Sequence, residues 1–181
     1  MKKKIVLAAL ILFCVLTKTV SAQESPKFNE VSGINLLNAG IGIGSYGLSG
    51  TGGLPLTASF EHGFSKYISA GLEAGLVQRK YADAWKYSYF IVGARGSYHF
   101  SEILNVTDPK LDVYGGIGLL YRHFKIKYTG DWNEYYGKTS DGDVTLDLHA
   151  GGRYFFNNNV GAFAEVGYGI SPLKLGVSLK F

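Results

Sequence analysis

The chain carries four histidines that could serve acid–base or metal chemistry: His62, His99, His123 and His149. None has a second ligand at a metal-site spacing such as H-x-x-x-H, so no metal site is expected. His149 stands two residues from Asp147 with Arg153 beyond, a spacing that puts all three on one face of a strand. Glu73 and Glu165 could be imagined as a carboxylate pair for acid–base work, but Arg95, Arg122 and Arg153 are available to neutralise them. Charges taken out of water must be paired or lose their charge. Glu73, Arg95, Arg122, Asp147, His149, Arg153 and Glu165 therefore read as one polar packing network, with no catalytic residue and no cofactor site among them.

A second kind of chemistry lies in two stretches rich in aromatic residues and charge, YADAWKYSY (residues 81–89) and KYTGDWNEYYGKTSDGD (residues 127–143). They hold both tryptophans, and Trp85, Trp132, Tyr135 and Tyr136 are the candidate contact residues. Tyr and Trp mixed with charge suit binding surfaces. The acids of the second stretch lack the ordered D-x-[DN]-x-[DN]-G spacing of a calcium loop.

The elements that would position these residues begin after a leader. Lys2, Lys3 and Lys4 precede an apolar run from Ile5 to Leu16, and Val20-Ser21-Ala22 offers small residues before Gln23. This is the pattern of a cleaved secretory signal peptide, residues 1–22, with cut-site residues Ala22 and Gln23. The run falls well short of the ~20 residues a spanning helix needs. Bulky Phe13 before Cys14 argues against a lipoprotein. Lys2, Lys3, Lys4 and Lys18 leave with the leader, so 18 basic residues become 14, against 14 acids. A neutral mature chain gives no support for a nucleic-acid partner. The single Cys leaves too, which removes disulfide and thiol chemistry.

From Ile34 onward the apolar period is two, eight times over. Ile68, Ala70, Leu72, Ala74 and Leu76 alternate with Ser69, Gly71, Glu73 and Gly75, and Leu173 to Phe181 repeats the pattern at the end of the chain. Successive side chains then face opposite sides of a sheet. The second face is Gly-rich and carries single charges in strand centres, unlike a solvated face. A narrow closed barrel explains this: small and paired polar residues fill the interior while the apolar band meets lipid. The expected strands of about 9–11 residues match a tilted membrane crossing, and closure removes every edge, as a membrane requires.

Phe60, Phe64, Tyr67, Tyr98, Phe100, Tyr154, Phe156 and Phe181 form one expected interfacial girdle, and Tyr81, Tyr87, Tyr89, Tyr121 and Tyr128 the other. Connections at 44–53, 77–86 and 124–143 are read as long external loops, and those at 62–66, 101–110 and 157–159 as periplasmic turns.

The stretches SFEHGFSKYISAGLEAGL, GAFAEVGYG and SPLKLGVSLKF resemble the small outer-membrane β-barrel domain family of Gram-negative bacteria, and the architecture is similar to the eight-stranded OmpA/OmpX type. The resemblance covers nearly all of the mature chain. It implies a fold and a location in the cell outer membrane, and it carries no catalytic motif.

The expected class is therefore all-β: an eight-stranded up-and-down antiparallel transmembrane β-barrel. Residues 23–33 form a periplasmic N-terminal segment and 34–181 the barrel. The expected role is non-enzymatic, either structural or contacting an extracellular ligand through the aromatic-rich loops. Outer-membrane lipid is an expected partner. The barrel-assembly machinery is another, with Phe181 as the assembly signal. Competing classes are a conduit for small apolar ligands, a lipid-modifying barrel enzyme and a soluble lipocalin-like carrier. The enzyme would need a His with a Ser or carboxylate at the membrane edge, and His123 has no His-x-Ser companion. An open pore is disfavoured because eight strands leave room only for side chains.

Overall fold

A computed structural model describes residues 30–46, 51–81, 85–128 and 138–181. The leader with Ala22 and Gln23, and the candidate contacts Trp132, Tyr135 and Tyr136, lie outside the described residues.

Eight strands follow one another around a closed antiparallel ring. They are β1 (Asn35–Ile43), β2 (Leu56–Gly63), β3 (Ile68–Tyr81), β4 (Trp85–His99), β5 (Leu111–Tyr128), β6 (Lys138–Phe155), β7 (Val160–Tyr168) and β8 (Leu173–Lys180). The ring closes between β1 and β8, where Leu36 opposes Lys180 and Ile43 opposes Leu173. Backbone bonds between Asn35 and Phe181, at 2.8 and 3.1 Å, extend that seam to the last residue.

The alternation sorts the side chains as the period demands. Leu72, Leu76, Ile117, Leu119, Leu146, Leu148, Val166 and Val177 are exposed around the outside. An apolar belt of this extent is a surface for lipid, not water. Between the two ends of the ring, many inward positions are small or charged. Gly71 shows why: a Cβ there would lie 1.8 Å from the Phe60 carbonyl oxygen.

Two apolar plugs seal the polar interior. At the end that carries Glu30 and Phe181, Val31, Leu36 and Phe155 pack together, with Ile34 against them. At the other end Val77, Ile91, Leu120 and Ile170 do the same. Ile170 comes from the tight β7–β8 connection and folds inward over Gly75.

Strand length departs from expectation. Strands β1, β2, β7 and β8 have 8 or 9 residues, but β3 to β6 have 14, 15, 18 and 18. The segments 77–86 and 124–143 are therefore largely strand, not loop: β3 pairs with β4 up to Tyr81–Trp85, and β5 with β6 up to Lys127–Lys138. Above the ring, β3 to β6 continue as a four-stranded wall. Residues 138–147 of β6 have no partner on the β7 side, whose pairing begins at Leu148–Tyr168.

The second girdle needs a matching correction. Tyr87 and Tyr89 share the inward parity of buried Ile91, and Tyr89 packs on the upper plug. The outward aromatics at that level are Phe90, Tyr121 and Tyr168.

Candidate functional site

Between the plugs lies a network of buried ionic groups. Arg153, from β6, is fully buried. Its guanidinium donates to Asp112 Oδ2 at 2.9 Å, Glu61 Oε1 at 3.1 Å and Asn38 Oδ1 at 3.2 Å. It also sits 3.7 Å from the centre of the Tyr114 ring. One planar cation thus ties β1, β2, β5 and β6 together, a role its fixed fork of donors suits. Arg95 does the same one layer up, with Glu165 Oε2 at 2.8 Å and Glu61 and Glu73 at 3.3 Å. Lys174 bridges Glu73 and Glu165, and the Tyr114 hydroxyl donates to Glu165 at 2.9 Å.

Glu73, Arg95, Asp147, His149, Arg153 and Glu165 all face this interior. Arg122 does not join them. It lies above the Leu120 plug, partly exposed, and pairs with Asp143. The sequence reading missed Glu61, Lys174, Asp112 and His99. Their inward parity was the available signal, but the partners are 8 to 101 residues apart in the chain.

Within the network are two Ser-His-Asp arrangements. Ser69 Oγ is 2.9 Å from His99 Nε2, and His99 Nδ1 is 2.8 Å from Asp112 Oδ1. Ser97 Oγ is 2.9 Å from His149 Nε2, and His149 Nδ1 is 2.6 Å from Asp147 Oδ2. Register builds the second: Ser97 opposes Gly116, which opposes His149, so Ser97 reaches across a residue with no side chain. The distances match a nucleophile, a base and its orienting acid, but the surroundings do not. All six residues are buried, and both plugs stand between them and either end. The Ser69 hydroxyl donates to Glu61 Oε2 at 2.6 Å, so its single proton is directed away from His99. A cavity in this interior, lined in part by Asn38, Glu73, Arg95 and Lys174, measures about 10 Å³, the room of one water at most. Neither serine is open to solvent, and the hydrogen bonds of both arrangements satisfy buried polar groups.

His62 Nδ1–H donates to Asn35 Oδ1 at 2.8 Å, near the Phe181 end of the barrel. His123 stands on the outward parity of β5, opposite Phe90 and Gly142. Among those residues no group of three or more His, Cys, Asp or Glu side chains could hold a metal ion.

The inner face of the wall differs from the interior below it. Tyr89 stacks on Phe124 with ring centres 5.6 Å apart. Trp85, Tyr87 and Ile126 share that parity and are half-buried. Trp85 is the first residue of β4 rather than a loop residue.

No protein-family model matches the sequence, and no curated protein matches it. Solved structures do. The N-terminal β-barrel domain of Pseudomonas aeruginosa OprF aligns over 83% of this chain and 98% of its own, with a TM-score of 0.58 at 16% identity. Neisserial surface protein A aligns over 82% and 96%, with a TM-score of 0.56 at 16% identity. The outer membrane protein OprG of Pseudomonas aeruginosa aligns over 85% and 98%, with a TM-score of 0.55 at 14% identity. By fold the chain is an eight-stranded barrel of the outer-membrane type.

Proposed function

We propose that this barrel is a non-enzymatic protein of the bacterial outer membrane, and that it meets extracellular partners on the inner face of the β3–β6 wall. One observation carries the reading: above a sealed ring, the sheet continues and turns Tyr87, Tyr89, Phe124 and Ile126 toward the space over the plug. Aromatic residues beside the Arg122–Asp143 pair give a surface that is apolar in body and polar at its edges. The plugs and the salt-bridged interior speak against a conduit, since a solute crossing the ring would have to displace both.

Whole cells displaying the protein, applied to arrays of glycans and extracellular-matrix proteins, should bind at least one class of them. Tyr87→Ala, Tyr89→Ala and Phe124→Ala should lose that binding while the barrel still folds. Binding that survives all three substitutions would sink the proposal for this face.

The two Ser-His-Asp geometries favour an enzymatic reading strongly enough to need their own test. A fluorophosphonate probe should label neither Ser69 nor Ser97 in the membrane-embedded protein. Labelling of either would make the barrel an acyl-transfer enzyme whose interior opens.

A further inference from the structure

The β4–β5 connection, residues 100–110, folds in a way that neither the ring nor the wall requires. Leaving β4, the chain makes one helical turn. Leu104 N–H donates to the Phe100 carbonyl at 2.9 Å, Asn105 N–H to that of Glu102 at 3.0 Å and Val106 N–H to that of Ser101 at 2.9 Å. The last two bonds, with Asn105 at a φ of 50°, are the motif that ends a helix on a left-handed residue. Asn tolerates that conformation. The turn therefore stops at a defined place, just after Leu104.

A turn fixed in this way sorts its side chains. Ile103 and Leu104 follow Phe100 by three and four residues, so they share its side of the turn. Phe100 lies on the outer face of the barrel, with its ring against Gly115 and 4.9 Å from the ring of Tyr98, which stacks on Tyr67. Tyr98 opposes Ile68 on the lipid-facing parity. Ser101 turns the other way, is buried, and accepts from Val113 N–H at 2.9 Å. Glu102 is held sideways by Lys66 and by the Tyr67 hydroxyl, each at 2.9 Å. The polar side chains Ser101 and Glu102 thus have protein partners, whereas Ile103 and Leu104 are 61% and 58% exposed.

Adjacent exposed Ile and Leu are out of place in a turn that only closes a hairpin in water. The β6–β7 turn does that work with Asn157, Asn158 and Asn159, where Asn157 Oδ1 accepts from the N–H groups of Asn159 and Val160. The far half of the β4–β5 connection is of that polar kind: Thr107, Asp108 and Lys110 are exposed, and Asp108 Oδ1 accepts from Lys110 N–H at 2.8 Å. The apolar pair stands at the other end, where the Tyr67–Tyr98–Phe100 row joins it to the lipid belt. That continuity selects the occupant, since the belt meets lipid.

We infer that Ile103 and Leu104 form an interfacial foot, inserted among the acyl chains of the leaflet at the Phe181 end of the barrel. Glu102 and residues 107–110 stay at headgroup level. A non-strand element lying in the interface by its apolar side grips the membrane without crossing it. It sets the depth of this rim on the β4–β5 side. The inference rests on the outer-membrane location.

The test uses the full chain with Cys14, its single cysteine, replaced by serine. Ile103→Cys, Leu104→Cys, Thr107→Cys and Leu72→Cys each receive a nitrobenzoxadiazole fluorophore. Each protein is refolded into phosphatidylcholine nanodiscs, which leave both faces open to water. A phosphatidylcholine with a nitroxide high on its acyl chain should quench the labels at 103 and 104 more than iodide does, as at 72. Iodide should dominate at 107, and emission from 103 and 104 should lie to the blue of emission from 107. Iodide quenching at 103 and 104 equal to that at 107 would overturn the inference and leave the pair open to a soluble partner. Both side chains are exposed, so the two variants should fold, as read by heat-modifiable gel mobility. Misfolding of both would also overturn the inference, because it would mean that the pair packs on protein. A water-exposed signal from 72 would instead overturn the membrane reading itself.

Discussion

Arg95 and Arg153, inside the ring, lie within 3.3 Å of three and two carboxylates respectively. Further up the same sheet, Arg122 has one, Asp143, and remains partly exposed. The ring surrounds its charges with protein, so each must be matched by several donors or acceptors held in place. The wall leaves its charges near water, where a single loose pair suffices. The ring thus holds its ionic groups for internal order, whereas the wall has surface to spare for contacts with other molecules.

The largest expected effect breaks the ring side of this comparison. Arg153→Met should strip Asp112 of its guanidinium and leave Glu61 only that of Arg95, at a cost of about 3–5 kcal/mol. Urea titration of vesicle-embedded protein, followed by heat-modifiable gel mobility, reads it. If Arg122→Met costs as much, the distinction between ring and wall is wrong.

Next come the outer positions of the ring. Leu72→Arg or Leu148→Arg should cost about 2–4 kcal/mol, because each puts a charge in mid-bilayer. Gly71→Arg should fail by crowding instead, as its Cβ alone would collide with the Phe60 carbonyl. Refolding titrations in which the Leu72 and Leu148 variants match wild type would show that those residues do not face lipid.

Phe181 gives a smaller thermodynamic effect with a kinetic counterpart. It is 43% exposed, and its backbone is bonded to Asn35. Burial of one aromatic ring contributes only about 1.5–3 kcal/mol, so deletion should leave detergent refolding largely intact. If the residue is an assembly signal, deletion should slow barrel assembly in cells, and Phe181→Lys should be worse than Phe181→Tyr. Equal outer-membrane levels of wild type and deletion would remove that role.

The smallest effect lies at the terminal rim. The hydrogen bond from Lys66, with a second from Tyr67, holds the Glu102 carboxyl below its usual range, and the same contact with Glu102 raises Lys66. A depressed carboxyl stabilises above its unfolded pKa and loses that contribution as pH falls through the folded one. The raised ammonium contributes below its own unfolded pKa and loses it as pH climbs past the folded one. Any difference between wild type and Glu102→Gln should therefore appear only between the two ranges. Both side chains are exposed, so it should be barely measurable in a pH series of melting curves. A large difference would mean that the rim carries ring-like order.

The ring was legible because one face of every strand had to be apolar. Leu72 and Leu76 announce lipid while Glu73 and Gly75 announce the interior, whatever the partner strand. The wall was not, since neither of its faces is uniformly apolar. In Tyr87-Ser88-Tyr89 and Phe124-Lys125-Ile126-Lys127 the alternation persists, but Tyr and Lys imitate a loop composition. The polar network was legible as a parity and not as pairs. Nothing near Arg153 in the chain points to Glu61, which lies 92 residues away.

The sequence by itself determined the two-faced strands, their closure and the polarity of the interior, because period two and a lipid surface permit few other arrangements. Only the tertiary structure decided register. Register set Ser97 against His149 across Gly116, and it aligned Lys80, Lys86 and Lys127 in one row. The physical reason is that a strand's own pattern specifies which side of the sheet a residue faces. Its neighbours across the ladder depend on how far each strand slides before barrel closure fixes it.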